Sequence, residues 1–308
     1  NSYDLITSQQ IEGIRNAAIW NDKIIVTRGD YDNTTWSPIL FSSYLQVYNT
    51  SDLSLYTEID TVTGPKWATQ NLIINNDKLY IAINNAYEWG NEKGLVGVLD
   101  LNTFAYIDEI DLGADGINPD NMMKSGDHIY TINNKDWSGS SISQLSVLTN
   151  SVSTINLSSA STGCGTSCLR DNKINYQISE ESILNEWDLS ILPNTGTPLS
   201  INQSFYDLSY EPINNLLYAS ITDYTTSGSI NIYNYNNSLV SSFECGVSPG
   251  TIVFDIRGTT TGIPSILSDS FDQSYNQTYD MLGRVISNGQ FIKEGICIKA
   301  NKQIFIAK

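Results

Sequence analysis

Five times along the chain a short polar turn precedes a run of crowded or alternating apolar positions. The runs are Asn21-Asp-Lys-Ile-Ile-Val-Thr, Asn76-Asp-Lys-Leu-Tyr-Ile-Ala-Ile, Gly126-Asp-His-Ile-Tyr-Thr-Ile, Asp171-Asn-Lys-Ile-Asn-Tyr-Gln-Ile and Asn214-Asn-Leu-Leu-Tyr-Ala-Ser-Ile. Their central apolar positions, Ile24, Leu79, Ile129, Ile174 and Leu217, lie 55, 50, 45 and 43 residues apart. Asn-Asp or Asn-Asn ahead of a β-rich run favours a tight hairpin, because these residues tolerate positive φ. After each run comes a loop and then a third strand, as in Tyr44-Leu-Gln-Val-Tyr, Leu95-Val-Gly-Val-Leu and Ser229-Ile-Asn-Ile-Tyr. A fourth follows, as in Leu55-Tyr-Thr-Glu-Ile and Ala105-Tyr-Ile-Asp-Glu-Ile. Helix-period segments are almost absent. Four strands every 43 to 55 residues predict an all-β fold, a β-propeller of four-stranded blades. A sandwich would not repeat its unit five times.

Six or seven blades are expected. Five are explicit, and Gly250-Thr-Ile-Val-Phe-Asp-Ile supplies a further innermost strand. Residues 1–13 supply an outer strand, so a sixth blade is expected to close across the termini. Asn301-Lys-Gln-Ile-Phe-Ile-Ala mimics the repeated strand, and a chain that is propeller throughout would fit seven.

Strands alternate direction within a blade, so loops joining second to third strands share a face with loops joining successive blades. Four of the six Trp residues, Trp36, Trp67, Trp89 and Trp137, fall on that face. Tyr31, Tyr87, Tyr206 and Tyr224 accompany them. Rigid aromatic side chains on loops supply contact area and a polar handle, so the face reads as a ligand-binding surface. The structural alternative is that each Trp plugs a gap between blades. The acidic residues Asp30, Asp32, Glu88, Asp115, Asp120, Asp136 and Asp223 lie on the same loops. Asp30 and Asp32 form the best local pair for Ca²⁺, which takes six to eight oxygen ligands. Turn capping is the commoner use of such Asp residues, and no cofactor is otherwise implied.

Composition narrows the partners. The 308 residues carry 16 Lys+Arg against 33 Asp+Glu, a net charge of −17. Only 16% of residues are charged, against about 25% in an ordinary domain, so the surface is built from Asn, Ser and Thr. Nucleic acid is excluded as a partner for want of basic residues, and an anionic membrane surface is disfavoured for the same reason. Apolar runs are strand-sized, so no membrane-spanning helix is expected. The chain starts at Asn1 without a basic–apolar leader, so any signal peptide is expected to have been removed. Cys164 and Cys168 could close a local disulfide or remain thiols; zinc would need a second pair plus His, and His128 is the single histidine. With that histidine beside a turn on the opposite face, no Ser-His-Asp triad is available. No phosphate loop or zincin motif is present either, so the chain is not expected to be an enzyme.

Two stretches carry resemblances. Phe205-Tyr-Asp-Leu-Ser-Tyr-Glu-Pro, Leu217-Tyr-Ala-Ser-Ile-Thr-Asp-Tyr, Gly228-Ser-Ile-Asn-Ile-Tyr-Asn and Ser242-Phe-Glu-Cys-Gly-Val-Ser-Pro-Gly-Thr-Ile-Val-Phe resemble the last blade of a YVTN/YncE-like propeller family of Bacteroidetes cell surfaces. Ser220 stands where that family usually has Asp. Members include surface proteins that capture cobamides, so the resemblance implies the fold and, as a candidate ligand, a cobamide. Thr261-Gly-Ile-Pro-Ser-Ile, Tyr279-Asp-Met-Leu-Gly-Arg284, Lys293-Glu-Gly-Ile-Cys-Ile-Lys and Lys302-Gln-Ile-Phe-Ile-Ala-Lys resemble a type IX secretion sorting domain. Glu294, Cys297 and Gln303 depart from its usual pattern. This divides the chain into a propeller over 1–257 and a sorting tail over 258–308, the alternative being a final blade. It implies the type IX secretion machinery as a partner and an extracellular or outer-surface location.

The resulting expectation is a secreted or surface-attached binding propeller that holds a small or medium-sized ligand on its Trp/Tyr face. A carbohydrate- or protein-binding adhesion module is the alternative, and a propeller hydrolase or lyase the third reading.

Overall fold

The computed structural model describes residues 8–135, 137, 139–158, 166–178, 181–190, 196–254 and 256, plus four backbone strands between 278 and 307. Two compact units are present: Gln9–Phe254, and Asn1–Ser8 with Asp255–Lys308. Among the described residues no helix is long and apolar enough to cross a membrane.

The larger unit is a β-propeller, as its sequence period predicts. Its strands form five antiparallel sheets of four, each in sequential order. Blade one holds β1 (Ile14–Trp20), β2 (Lys23–Arg28), β3 (Ser43–Asn49) and β4 (Leu55–Asp60). Blade two holds β5 (Thr69–Asn75), β6 (Lys78–Ile83), β7 (Leu95–Asp100) and β8 (Tyr106–Asp111). Blade three holds β9 (Pro119–Ser125), β10 (His128–Asn133), β11 (Ser140–Ser146) and β12 (Val152–Ser158). Blade four holds β13 (Ser167–Arg170), β14 (Lys173–Gln177), β15 (Ile183–Asp188) and β16 (Thr197–Asn202). Blade five holds β17 (Asp207–Glu211), β18 (Leu216–Ile221), β19 (Ser229–Tyr233) and β20 (Leu239–Glu244).

The polar turns do what their composition requires. Asn21, Asn76, Gly126, Asp171 and Asn215 all sit at φ between 52° and 56°. In the first four blades this leaves two residues between paired strands, as between Trp20 and Lys23 or Asn75 and Lys78. A two-residue turn of this kind matches strand twist only with positive φ, which Asn, Asp and Gly accept most readily.

Each apolar cluster lies between two successive sheets. Ile25, Leu45 and Val47 of blade one pack with Leu79, Ile81 and Leu99 of blade two. Tyr80, Val96 and Val98 meet Ile129 and Leu145 of blade three. Tyr130, Ile132 and Ile142 meet Ile174, Tyr176 and the fully buried Trp187 of blade four. Leu184 and Ile201 meet Leu208, Leu217 and Tyr233 of blade five. The second strand of a blade is therefore covered on both faces, which is why Leu79-Tyr-Ile-Ala-Ile is continuously apolar rather than alternating.

The innermost strands run β1, β5, β9, β13, β17 around the channel, each beside the next. Between blades one, two and three they are tied by side-chain amides. Asn16 Nδ2 donates to Asn71 Oδ1 at 3.0 Å, and Asn71 Nδ2 donates to the Asp120 carbonyl at 2.7 Å and Asn121 Oδ1 at 3.3 Å. Hydroxyls add to the ties: Thr27 Oγ1 donates to the Gln70 carbonyl at 2.7 Å, and Thr69 Oγ1 to the Tyr44 carbonyl at 2.7 Å.

The five blades explicit in the sequence period are all present in this unit. Five blades are complete, and Gly250–Phe254 forms no strand. It keeps the position of an inner strand nonetheless, since Ser209 Oγ donates to the Ile252 carbonyl at 2.7 Å and Phe254 packs edge-on against Tyr218 at 4.9 Å. Residues 1–7, the other half of the expected sixth blade, lie outside the described residues, as does Cys164. Cys168 is a buried free thiol on β13.

The other unit holds one sheet of four short strands, β21 (Thr278–Tyr279), β22 (Val285–Ile286), β23 (Gly295–Lys299) and β24 (Gln303–Ala307). Its order is β22-β21-β23-β24, unlike the sequential order of the five blades. Residues 261–266, 280–284 and 293–294 of the sorting-tail pattern lie outside the described residues.

The amide ladder makes a prediction. Asn71→Ala removes the link between three inner strands and leaves Asn16 without its partner, which should cost about 1–3 kcal/mol. Urea unfolding of the whole chain measures it, and a loss under about 0.5 kcal/mol would show that the apolar clusters alone hold the blades.

Candidate functional site at the channel mouth

Three inner strands begin with a register irregularity at the same place. It falls between Ile14 and Asn16 in β1, between Thr69 and Leu72 in β5, and opposite Ile132 and Asn133 in β9. The displaced residues include Arg15, Gln70 and Asp120. A bulge turns a side chain away from the regular alternation, and here all three turn to one cavity of about 300 Å³. Thr166 and Asp207 reach the same cavity from blades four and five, and Gly250 from the segment after β20. Tyr87, Trp137 and Tyr206 form aromatic parts of its wall, with Asn84, Ala86 and Asn134 between them.

The floor is electrostatically uneven. Gln70 Nε2 donates to Asp120 Oδ1 at 3.1 Å, and Arg15 is near enough to favour the Asp120 carboxylate. Burial outweighs both and pushes the Asp120 carboxyl above its usual range. Arg15 is itself held by donating Nε to the Gly29 carbonyl at 2.6 Å, with its guanidinium 6.0 Å from the Tyr87 ring centre. Asp207 differs. Burial raises its carboxyl to about 6, against the pull of the Leu208 and Ile252 amides and the Thr166 hydroxyl. No cation among the described residues contributes to that balance.

The predicted aromatic residues separate into groups. Tyr87, Trp137 and Tyr206 line the cavity. Tyr31 stacks on Tyr87 at 4.0 Å and on Trp36 at 5.2 Å, so three rings run from the cavity wall to solvent, where Trp36 is 55% exposed. Tyr224 packs edge-on against Tyr206 at 5.6 Å and is otherwise exposed. Trp67 and Trp89 do not line the cavity. Trp67 lies under Lys93, whose Nζ is 5.2 Å from the ring centre, and Trp89 projects into solvent. Trp36, Trp137 and Tyr224 all have φ between 58° and 65°. Large side chains rarely occupy that region, so these loops hold backbone strain while presenting their rings. On the cavity wall, Trp137 Nε1 is buried with no hydrogen-bond partner among the described residues.

Most of the acidic loop residues are engaged in local structure. Asp32 Oδ1 accepts from the Thr34 amide at 2.9 Å, the Thr35 amide at 2.7 Å and Thr35 Oγ1 at 3.0 Å, which holds its carboxyl below the usual range. Asp223 is capped in the same way by Thr225 and Thr226. Asp30 accepts from the Tyr31 amide at 2.9 Å, Asp115 pairs with Lys135 at 2.9 Å, and Glu88 accepts from Asn91 at 3.0 Å. Asp136 lies outside the described residues. The Ca²⁺ candidates Asp30 and Asp32 thus serve turns, and no group of three or more His, Cys, Asp or Glu that could hold a metal occurs among the described residues.

Arg15, Gln70, Thr166, Asp207 and Gly250 were missed as site residues at the sequence level. A signal for the first two existed. Arg15-Asn16, Gln70-Asn71 and Asp120-Asn121 recur at intervals of 55 and 50, placing a polar pair where an inner strand starts.

No protein-family model matches the chain, and no curated protein matches it. Among solved structures, it is similar to a streptogramin B lyase structure, at 14% identity and a TM-score of 0.52 over 77% of this chain and 69% of that one. At that identity the likeness establishes the propeller architecture alone. Solved chains that match number 831, so this fold does not discriminate among activities.

The Asp207 carboxyl provides a pH test. Its usual value is 3.8 and its folded value about 6, so between them the folded chain binds more protons and rising pH lowers stability. Comparing wild type with Asp207→Asn by urea unfolding across this window should show the wild type losing stability relative to the variant as pH rises. Parallel pH profiles would show that Asp207 is not held in a desolvating site.

Proposed function

We propose that this chain is a binding propeller that holds a small molecule at the mouth of its central channel. The observation that carries the reading is the cavity of about 300 Å³, to which the inner edges of all five blades contribute. Pockets of this size with aromatic walls and a few convergent polar groups are the usual form of a small-molecule site. Tyr87, Trp137 and Tyr206 supply the faces for a planar group; Arg15, Asp120, Asp207 and the Trp137 Nε1 supply its polar contacts. Trp36, Tyr31 and Tyr224 extend the aromatic surface outward. A cobamide is the candidate ligand raised by the resemblance of residues 205–254.

A second reading, acid–base chemistry on the bound molecule, is favoured by the Asp207 carboxyl at about 6. A carboxylate with that value is matched to proton transfer near neutral pH. The streptogramin B lyase likeness adds a precedent for catalysis on this architecture and no residue-level support. Turnover of a bound compound, abolished in Asp207→Asn, would favour this reading over simple capture.

Binding is tested by following the Trp137 indole resonance, assigned through Trp137→Phe, while titrating cobalamin and, separately, the neutral planar probe naphthalene-2-methanol. A saturable shift at Trp137 with either is the expected outcome. No shift with either, up to the solubility limit, would overturn the cavity as a binding site.

Export is a separate proposal, supported by the sorting-tail pattern over 258–308 and by the non-sequential order of the C-terminal sheet. Deleting 258–308 should leave the chain inside cells that otherwise release or display it, measured by fractionation. Unchanged export of the truncated chain would refute it.

A further inference from the structure

Resting on the binding-site reading above, we infer that the group entering the cavity carries a basic nitrogen, received by Asp207 and flanked by Tyr206 and Trp137. The argument is one of charge balance within the cavity. Among the described residues its charged lining consists of Arg15, Asp120 and Asp207. Arg15 favours the ionised form of Asp120 and Gln70 donates to the same carboxyl, so although burial outweighs both, Asp120 already has a cation beside it. Among the described residues Asp207 receives only neutral donors, the Thr166 hydroxyl and the Leu208 and Ile252 amides. A partly desolvated carboxylate without a counter-ion is costly, and a cation delivered by a ligand removes the cost. The neighbouring aromatic faces suit the same group, because a ring's negative face attracts an ammonium or amidinium.

The other groups around Asp207 do not answer the charge. Cys168, which feels the Asp207 charge, has its thiol pushed up to about 12 by burial and stays neutral. Arg170 is turned to Asn237 Oδ1 and the Asn234 carbonyl, both at 2.7 Å. An anionic ligand would meet two carboxylates and an Arg15 already engaged with the Gly29 carbonyl.

A matched series tests the charge directly. Naphthalen-2-ylmethylamine, naphthalene-2-methanol and 2-naphthoate share one ring and differ in one group. Followed at the Trp137 indole at pH 7.5, the amine should bind at least tenfold more tightly than the alcohol, and the carboxylate more weakly than either. Lowering the pH through 6 protonates Asp207 and should weaken the amine several-fold while leaving the alcohol unchanged. Asp207→Asn should abolish the amine's advantage. Asp127→Asn, which removes one negative charge from the turn after β9, should preserve it and so separate a local ion pair from the overall charge of −17. Equal affinity of amine and alcohol in the wild type overturns the inference and leaves the cavity reading intact. Failure of all three to shift Trp137 overturns both.

Discussion

No backbone ladder joins one blade to the next, and every other feature of this propeller depends on how that is compensated. Each sheet pairs only its own strands, so successive sheets meet through side chains, packed on one another or hydrogen-bonded to a neighbouring backbone. Over most of the radius the contact is apolar, with one cluster filling each of the four interfaces between the five sheets. Toward the channel the strands converge and water can reach them, so apolar packing gives way to directional bonds. The Asn16–Asn71–Asn121 ladder and the Thr27 and Thr69 hydroxyls supply those bonds across the first three blades. Because amide and hydroxyl geometry is specific, this inner tier fixes register between blades where apolar contact would allow sliding.

The candidate site grows out of that tier. Asn16, Asn71 and Asn121 face their neighbours around the channel, while the bulges beside them free Arg15, Gln70 and Asp120 to face the cavity. One irregularity, repeated in three blades, therefore serves both cohesion and the site. The loops add rings at a cost in backbone strain, with Trp36, Trp137 and Tyr224 held at positive φ. The compensations are local: Asp32 and Asp223 each gather two amides and a hydroxyl from their own loops. The acidic residues that made the aromatic face look electrostatically active are, in these loops, the clamps that shape it. The charge that lines the cavity is carried by other residues, Arg15, Asp120 and Asp207.

Much of the architecture was legible because it is written in local chemistry. Asn21, Asn76, Gly126 and Asp171 announce two-residue turns, and the interval between them announces a repeated sheet. The assignment of Tyr87, Trp137 and Tyr206 to one end of the channel follows from strand alternation alone. Asp207 was not legible. It stands between Tyr206 and Leu208 in a stretch that reads as a strand start, and its significance comes from burial and from the absence of a cation beside it among the described residues. Trp67 and Trp89 show the converse: a shared face does not mean a shared cavity, since radial distance from the channel is invisible to the strand pattern.

By itself the sequence determined the β-propeller, its blade period, the turn residues and the face on which the aromatic loops lie. These depend on interactions within a blade, between residues a few tens of positions apart. Only the tertiary structure decided which side chains converge, that five blades are complete within residues 9–254, and which cavity carboxyl has no cation beside it among the described residues. Those properties arise where strands from different blades meet, between residues such as Arg15, Asp120 and Asp207 that are far apart in the chain. Their distances, solvation and mutual charge exist only once the ring of sheets has formed.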